Sequence, residues 1–136
     1  MNLVIDIGNT QVKAAVFEKD TLIHVVSFDK RSILSQIKAI IKKHEISDAI
    51  LSNVTLISEI KLKKLQQIVH LRIISSSTKV PFINSYQTPK TLGVDRIALA
   101  TAAVRQFPKK NVLVIDAGSC ITFDFINSKA EYLGGA

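Results

Sequence analysis

The chain has 136 residues, a formal charge of +7 from 18 basic and 11 acidic side chains, and 47% hydrophobic composition. That length suits one ordinary domain with a substantial core, and that composition excludes disorder as a global description. No apolar run approaches the ~20 residues of a membrane span, no charged leader opens the chain, and one cysteine closes no internal disulfide; a cytoplasmic protein is expected. Residues 2–7, 12–18 and 21–28 read as three strands, the second joined to the third by a turn at Lys19-Asp20. Residues 31–44 place Ile33, Leu34, Ile37, Ile40 and Ile41 at helical spacing on one apolar face.

Asp48 to Val54 reads as a short strand, Ser58 to Ile68 as an amphipathic helix with Ile60, Leu65 and Ile68 inward, and Leu71 to Ser75 as another strand. Ser75-Ser76-Ser77-Thr78 and Pro81 mark a loop. A third helix runs from Leu92 to about Gln106, with Ile97, Leu99, Ala100, Ala103 and Val104 packing, and Pro108 bounds it. A strand ends at Ile115, and 120–126 pairs with it as a hairpin arm before the turn at Asn127-Ser128-Lys129. The βββαβαβα order predicts an α/β fold with a mixed sheet covered by helices. In element order it resembles the ribonuclease-H-like half-domain of the actin and sugar-kinase superfamily, with residues 1–110 as that domain and 111–136 as the first strands of a second.

The positive charge raises a nucleic-acid reading. Lys30-Arg31, Lys42-Lys43, Lys61-Lys63-Lys64 and Lys109-Lys110 fall on helix faces or ends, and the two tyrosines and six phenylalanines do not interleave with them. Stacking platforms for single strands are scarce, so solvated helix faces are the preferred reading and no nucleic-acid partner is expected. A basic surface also steers anionic nucleotides. His24, His44 and His70 are isolated in sequence and lack metal-ligand spacing.

An acidic-glycine turn occurs twice, as Asp6-Ile7-Gly8-Asn9-Thr10 and Asp116-Ala117-Gly118-Ser119, each at the end of an apolar strand and each followed by an apolar-rich stretch. Two such turns facing each other can grip a nucleotide's phosphates, which points to phosphoryl transfer. Gly8 admits backbone conformations closed to other residues, and successive N–H groups then form a concavity for phosphate oxygens. Asn9, Thr10 and Gln11 add side-chain donors and Lys13 adds charge. Asp6 is a candidate for Mg²⁺ through water, since Mg²⁺ keeps several waters beside phosphates. The bland alternative is an ordinary hairpin turn, and the recurrence at 116–119 makes it the weaker one. The turn is neither a P-loop nor a dinucleotide-binding fingerprint, because both glycine patterns are absent.

A third element, Thr91-Leu92-Gly93-Val94-Asp95-Arg96, opens the third helix. Asp95 either caps that helix or orients a substrate hydroxyl and accepts its proton, while Arg96 binds an anionic group. An aspartate is a weak base at neutral pH, which phosphoryl transfer tolerates because it relies on positioning and charge stabilisation.

Asp6-Ile7-Gly8-Asn9-Thr10, Gly93-Val94-Asp95-Arg96 and Asp116-Ala117-Gly118-Ser119, in this order and spacing, resemble the type III pantothenate kinase family, and Tyr132-Leu133-Gly134-Gly135-Ala136 resembles its next glycine-rich segment. The resemblance covers essentially the whole chain. It implies ATP-dependent phosphorylation of pantothenate to 4'-phosphopantothenate, the first step toward coenzyme A. On the same warrant Asp6, Ile7, Gly8, Asn9, Thr10, Gln11, Val12 and Lys13 form the ATP-phosphate segment, and Ser119 touches ATP. Asp95 becomes the proton acceptor, with Gly93, Val94, Asp95 and Arg96 lining the pantothenate site and Tyr86 in Tyr86-Gln87-Thr88-Pro89 contacting the substrate. Asp116 helps to hold a monovalent cation, K⁺ or NH₄⁺, beside Mg²⁺-bound ATP, and the family's members are homodimers.

The family usually has Thr at the position of Ser119 and often Ala at that of Cys120; Ser keeps the hydroxyl, and Cys120 is expected to be a small buried residue without a nucleophilic role. Family chains continue into a second half-domain, so residues 1–136 are expected to be the N-terminal part of a kinase and incomplete for catalysis. A non-catalytic nucleotide-binding or accessory regulatory module on the same fold is the alternative. An exposed apolar face on the strand after Asp116 would fit the first of these.

Overall fold

In the computed structural model, which describes residues 1–53 and 57–136, strict alternation of side chains builds the first sheet. The strand β1 (Asn2–Ile7) turns Leu3, Ile5 and Ile7 into the core, and β2 (Gln11–Glu18) sets Val16, Ala14 and Val12 opposite them on the same face. The strand β3 (Thr21–Asp29) pairs antiparallel with β2, with an irregularity at Val16/Phe17. Then β4 (Asp48–Asn53) joins β1 in parallel and β5 (His70–Ile73) joins β4 in parallel, giving the order β3-β2-β1-β4-β5. Val54, expected at the end of β4, lies outside the described residues.

Parallel pairs require crossovers, and helices α1 (Ile33–His44) and α2 (Glu59–Ile68) supply them. Helix α1 buries Ile33, Ile37 and Ile40, with Leu34 and Ile41 packed at the margin of the same core. It ends at Glu45 in the left-handed region, φ 52°, and Lys42, Lys43 and His44 in its last turn complement the helix dipole. Helix α2 is capped by Ser58, whose Oγ accepts from the Lys61 amide at 3.3 Å. Leu65 is buried and Ile68 packs partly, but Ile60, expected inward, is 68% exposed. At about 100° per residue it stands roughly 140° round the helix from Leu65, which puts it on the solvent side. The histidines are not isolated either: the His24 and His44 rings stack with centroids 5.4 Å apart, and His70 Nδ1 lies 2.7 Å from Asp48.

Contacts divide the chain into Met1–Ile74 and Ser75–Ala136. Helix α3 (Val94–Gln106) packs on the strands that follow it, through Ile97, Ala100 and Ala103. Those strands are β7 (Val112–Ala117), β8 (Ile121–Ile126) and β9 (Glu131–Gly135); with the two-residue β6 (Ile83–Asn84) they form a sheet ordered β6-β9-β8-β7. Neither β6 nor β9 was expected as a strand. The sheet's face away from α3 leaves Leu113, Ile115, Ile121, Phe123 and Phe125 exposed. Among the described residues, no helix is long and apolar enough to cross a membrane.

Candidate functional site

The first acidic-glycine turn joins β1 to β2 and is closed by the Gly8 amide, which donates to the Gln11 carbonyl at 3.0 Å. Gly8 has no positive φ; what favours glycine there is close approach, since a Cβ would sit 3.3 Å from that carbonyl. Asn9, Thr10 and Gln11 are exposed, whereas the Ile7 and Val12 side chains are buried, so those two have only backbone to offer a ligand. Asp6 and Lys13 are cross-strand partners on the opposite face from the core, which brings a carboxylate and an ammonium to the same end of the hairpin.

Sequence reasoning missed Lys30, whose Nζ donates to the Asn9 carbonyl at 2.7 Å and holds the turn from below. Lys30 and Lys61 also line a cavity of about 240 Å³ under Ile7. No local pattern links residues so far apart in sequence. Nearby, the Arg31 amide and guanidinium donate to Asp29, at 2.8 and 3.1 Å, and the amide bond foremost holds that carboxyl below its usual range.

The second turn repeats the device: the Gly118 amide donates to the Cys120 carbonyl at 3.0 Å. Asp116, at the end of β7, and Ser119 are both exposed. Cys120, expected to be buried, is exposed as well, because it belongs to the turn and not to the strand's inward set.

In the same unit, Gly93 is the N-cap of α3 and Asp95 lies in the first turn. Asp95 is therefore not the cap; it is exposed, and its Oδ1 accepts from the Arg96 amide at 2.9 Å. A Cβ at Gly93 would lie 2.6 Å from that oxygen, so a larger residue there would push the Asp95 side chain aside.

Arg96 reaches from α3 into β8. Its Nε and Nη2 lie 2.8 and 2.6 Å from Asp124 Oδ1, and Tyr132 donates its hydroxyl to the same oxygen at 2.5 Å. Asp124 is fully buried, and its Oδ2 has no hydrogen-bond partner among the described residues. Hydrogen bonding to Asp124 raises the Arg96 pKa further, so the guanidinium stays charged. Burial, reinforced by the bond to Asp124, pushes the Tyr132 phenol well above its usual value, so it remains a donor.

Tyr86 tilts against the Tyr132 ring with centroids 6.2 Å apart, and with Gln87, Thr88, Leu133, Gly134 and Gly135 it lines an open cavity of about 340 Å³. Sequence reasoning named Tyr86 and Arg96 but missed Asp124 and the role of Tyr132. The available signal was a lone carboxylate inside the apolar run Ile121-Thr122-Phe123-Asp124-Phe125-Ile126.

A family model describing type III pantothenate kinase matches residues 2–136. Relatives bearing that name include proteins of Bacteroides fragilis strain YCH46, 43% identical over 99% of this chain, and of Flavobacterium johnsoniae, 42% identical over 100% of it. The chain spans 56% of the length of each, just over half of the curated relatives it matches.

Among solved structures, a Campylobacter jejuni protein described as a Baf-family transcriptional activator is 25% identical, with TM-score 0.58, over 98% of this chain and 52% of its own. A Sinorhizobium meliloti protein described as a 2-dehydro-3-deoxygalactonokinase gives TM-score 0.58 at 9% identity, over 100% of this chain and 52% of its own. A Listeria monocytogenes protein described as an N-acetylmannosamine kinase gives 0.52 at 12% identity, over 96% of this chain and 48% of its own. The last two similarities concern the fold alone, which is that of the sugar-kinase and actin-like ATPase group.

Proposed function

Since the chain belongs to the type III pantothenate kinase family, we propose that it carries the phosphate-binding and substrate-binding segments of an enzyme that phosphorylates pantothenate with ATP. The observation that carries this reading is the pairing, at the start of α3, of an exposed carboxylate with an anchored guanidinium, Asp95 beside Arg96, in the unit that also holds the Tyr86 cavity.

Asp95 accepts the proton of the pantothenate primary hydroxyl while that oxygen bonds to the terminal phosphorus of ATP. The bond from that phosphorus to the bridging oxygen breaks and ADP leaves. A carboxylate suffices as the base because such transfers depend on placement and charge stabilisation. Arg96 donates to the substrate's carboxylate and Tyr86 walls the cavity. ATP supplies the phosphoryl group when bound, and the 6–13 segment, with Ser119, holds it.

The donor set suits the ions the family implies. Asp6 and Asp116 are single oxygen-donor carboxylates beside glycine turns, and the described residues contain no cluster of three His, Cys, Asp or Glu. One carboxylate with phosphates and water would hold Mg²⁺ at Asp6, and Asp116 would give K⁺ or NH₄⁺ one carboxylate. A cytoplasmic homodimer is part of the same proposal.

The test is ATP-dependent phosphorylation of pantothenate, with K⁺ and Mg²⁺ present, by this chain, by a version extended to the length of its relatives, and by the Asp95→Asn variant of each. Turnover that falls by about 10²-fold or more in the variant supports the reading, the lower end of what a positioned base contributes. Turnover only in the extended version assigns residues 1–136 the role of one part of the enzyme. An extended protein that binds nucleotide but never phosphorylates pantothenate leaves the accessory-module alternative.

A further inference from the structure

We propose that Asp124 is a positioning residue: with the Tyr132 hydroxyl it fixes the Arg96 guanidinium in one orientation, so that the remaining N–H donors meet a carboxylate on the substrate. The proposal rests on the reading of Arg96 as the donor to that carboxylate. Asp124 sits in β8 on the face covered by α3, a position where an apolar side chain would serve packing equally well. Its side chain has no exposed surface, yet it ends in a carboxyl paired with Arg96. Nε and Nη2 of Arg96 both address its Oδ1. The hydroxyl of Tyr132 meets the same oxygen and limits where the carboxylate can turn.

The Arg96 side chain is 19% exposed, so the guanidinium is anchored on one edge while part of it remains at the surface. Guanidinium donors lie in a fixed plane, and anchoring one edge therefore orients the other. The neighbouring backbone makes room for this arrangement. A Cβ on Gly135 would lie 2.8 Å from Arg96 Nη2 and 1.6 Å from the Phe123 carbonyl, so only glycine lets β9 pass there. The anchor also adjoins the cavity, because Tyr132 packs against Tyr86, whose ring lines it. With its charge already matched by Asp124, Arg96 offers direction more than net attraction. Nη2 also donates to the Phe123 carbonyl at 3.4 Å, so the Nη1 N–H donors are the ones left for a ligand, and the class they suit is a small molecule with a carboxylate.

Nitrogen-15 spectra of the 136-residue chain test this through the Arg96 Nε–H signal, with D-pantothenate as the probe and exposed Arg72 as the internal reference. Exchange of the Arg96 proton with water is expected to be about tenfold slower than that of Arg72, or slower still, and Asp124→Asn removes most of that difference. Pantothenate is expected to shift the Arg96 signal in the native chain and to leave it unmoved at the same concentration in Asp124→Asn. Tyr132→Phe, which removes no charge, is expected to give an intermediate loss of protection, and it decides the matter if Asp124→Asn fails to fold by circular dichroism.

Unchanged Arg96 protection in whichever variant folds overturns the proposal while a pantothenate shift in the native chain keeps the kinase reading. Lost protection with an unchanged pantothenate response overturns it too, by making Asp124 purely structural. A native chain in which Arg96 responds to Asp124→Asn but never to pantothenate removes the substrate reading of Arg96, and this proposal with it.

Discussion

A carboxylate with no exposed surface survives in β8 because Arg96 and Tyr132 both point at it, and its cost shows when either is removed. Arg96→Ala leaves Asp124 buried beside only a phenol, and such one-sided losses cost about 3–5 kcal/mol. Urea denaturation should show that loss in the 75–136 unit, where α3 and β8 lie. Tyr132 adds a pH signature. Its folded pKa is raised, so the protonated phenol is favoured by folding. That stabilisation is fully present below the unfolded tyrosine value of about 10 and is lost as pH rises above it. The melting temperature of the native chain should therefore decline faster above about pH 10 than that of Tyr132→Phe. Parallel declines would remove Tyr132 from the pH response.

At the scale of elements, β9 is held in place by what its glycines omit. Gly135 passes so close to Phe123 that any side chain collides with its carbonyl, and Gly134 has φ 109°, where other residues are strained. Gly135→Ala should cost about 1–3 kcal/mol or more and open the paired bonds between Phe123 and Ala136, now 2.7 and 2.9 Å. Faster amide exchange at both residues is the measurement. On α2 the contrast runs the other way: Leu65→Ala should cost about 2–5 kcal/mol and Ile60→Gln less than about 0.5, read by thermal denaturation.

These contrasts explain what was legible. The strands β1 to β3 are apolar-rich runs between turn signals and helix α1 follows a helical apolar period, and sequence reading placed them closely. The β9 segment has no alternation, and glycine weakens strands, so only its pairing with β8 makes it one. Composition also misleads about β8, whose apolar residues Ile121, Phe123 and Phe125 are exposed while Asp124 and Ile126 lie under α3. The face that a helix covers is a tertiary fact, and for that reason Asp124 was hidden. The glycine turns were legible because turn chemistry is local, whereas the Lys30 bond to Asn9 depends on the whole β1–β3 meander.

For the molecule as a whole, opposing tendencies set how it behaves in solution. Cross-strand pairing aligns Leu113 with Phe125 and Ile115 with Phe123, and the resulting apolar sheet face carries residues up to 61% exposed, the value at Ile121. A contiguous exposed apolar face favours association. The charge of +7 opposes it by repulsion between copies, and salt screens that repulsion within about 8 Å at 0.15 M. The folded chain should therefore bind an apolar fluorescent dye and stay dispersed at low ionic strength, then self-associate as salt rises. Ile115→Thr with Phe123→Thr keeps strand-forming residues and the net charge while removing the apolar pair at the centre of the face. This double variant should lose most dye binding and remain monomeric across the same salt range, followed by sedimentation velocity. Dye binding and salt response that survive the double substitution would place the association elsewhere, and a native chain that is dye-silent and monomeric in high salt would remove the exposed face as its cause.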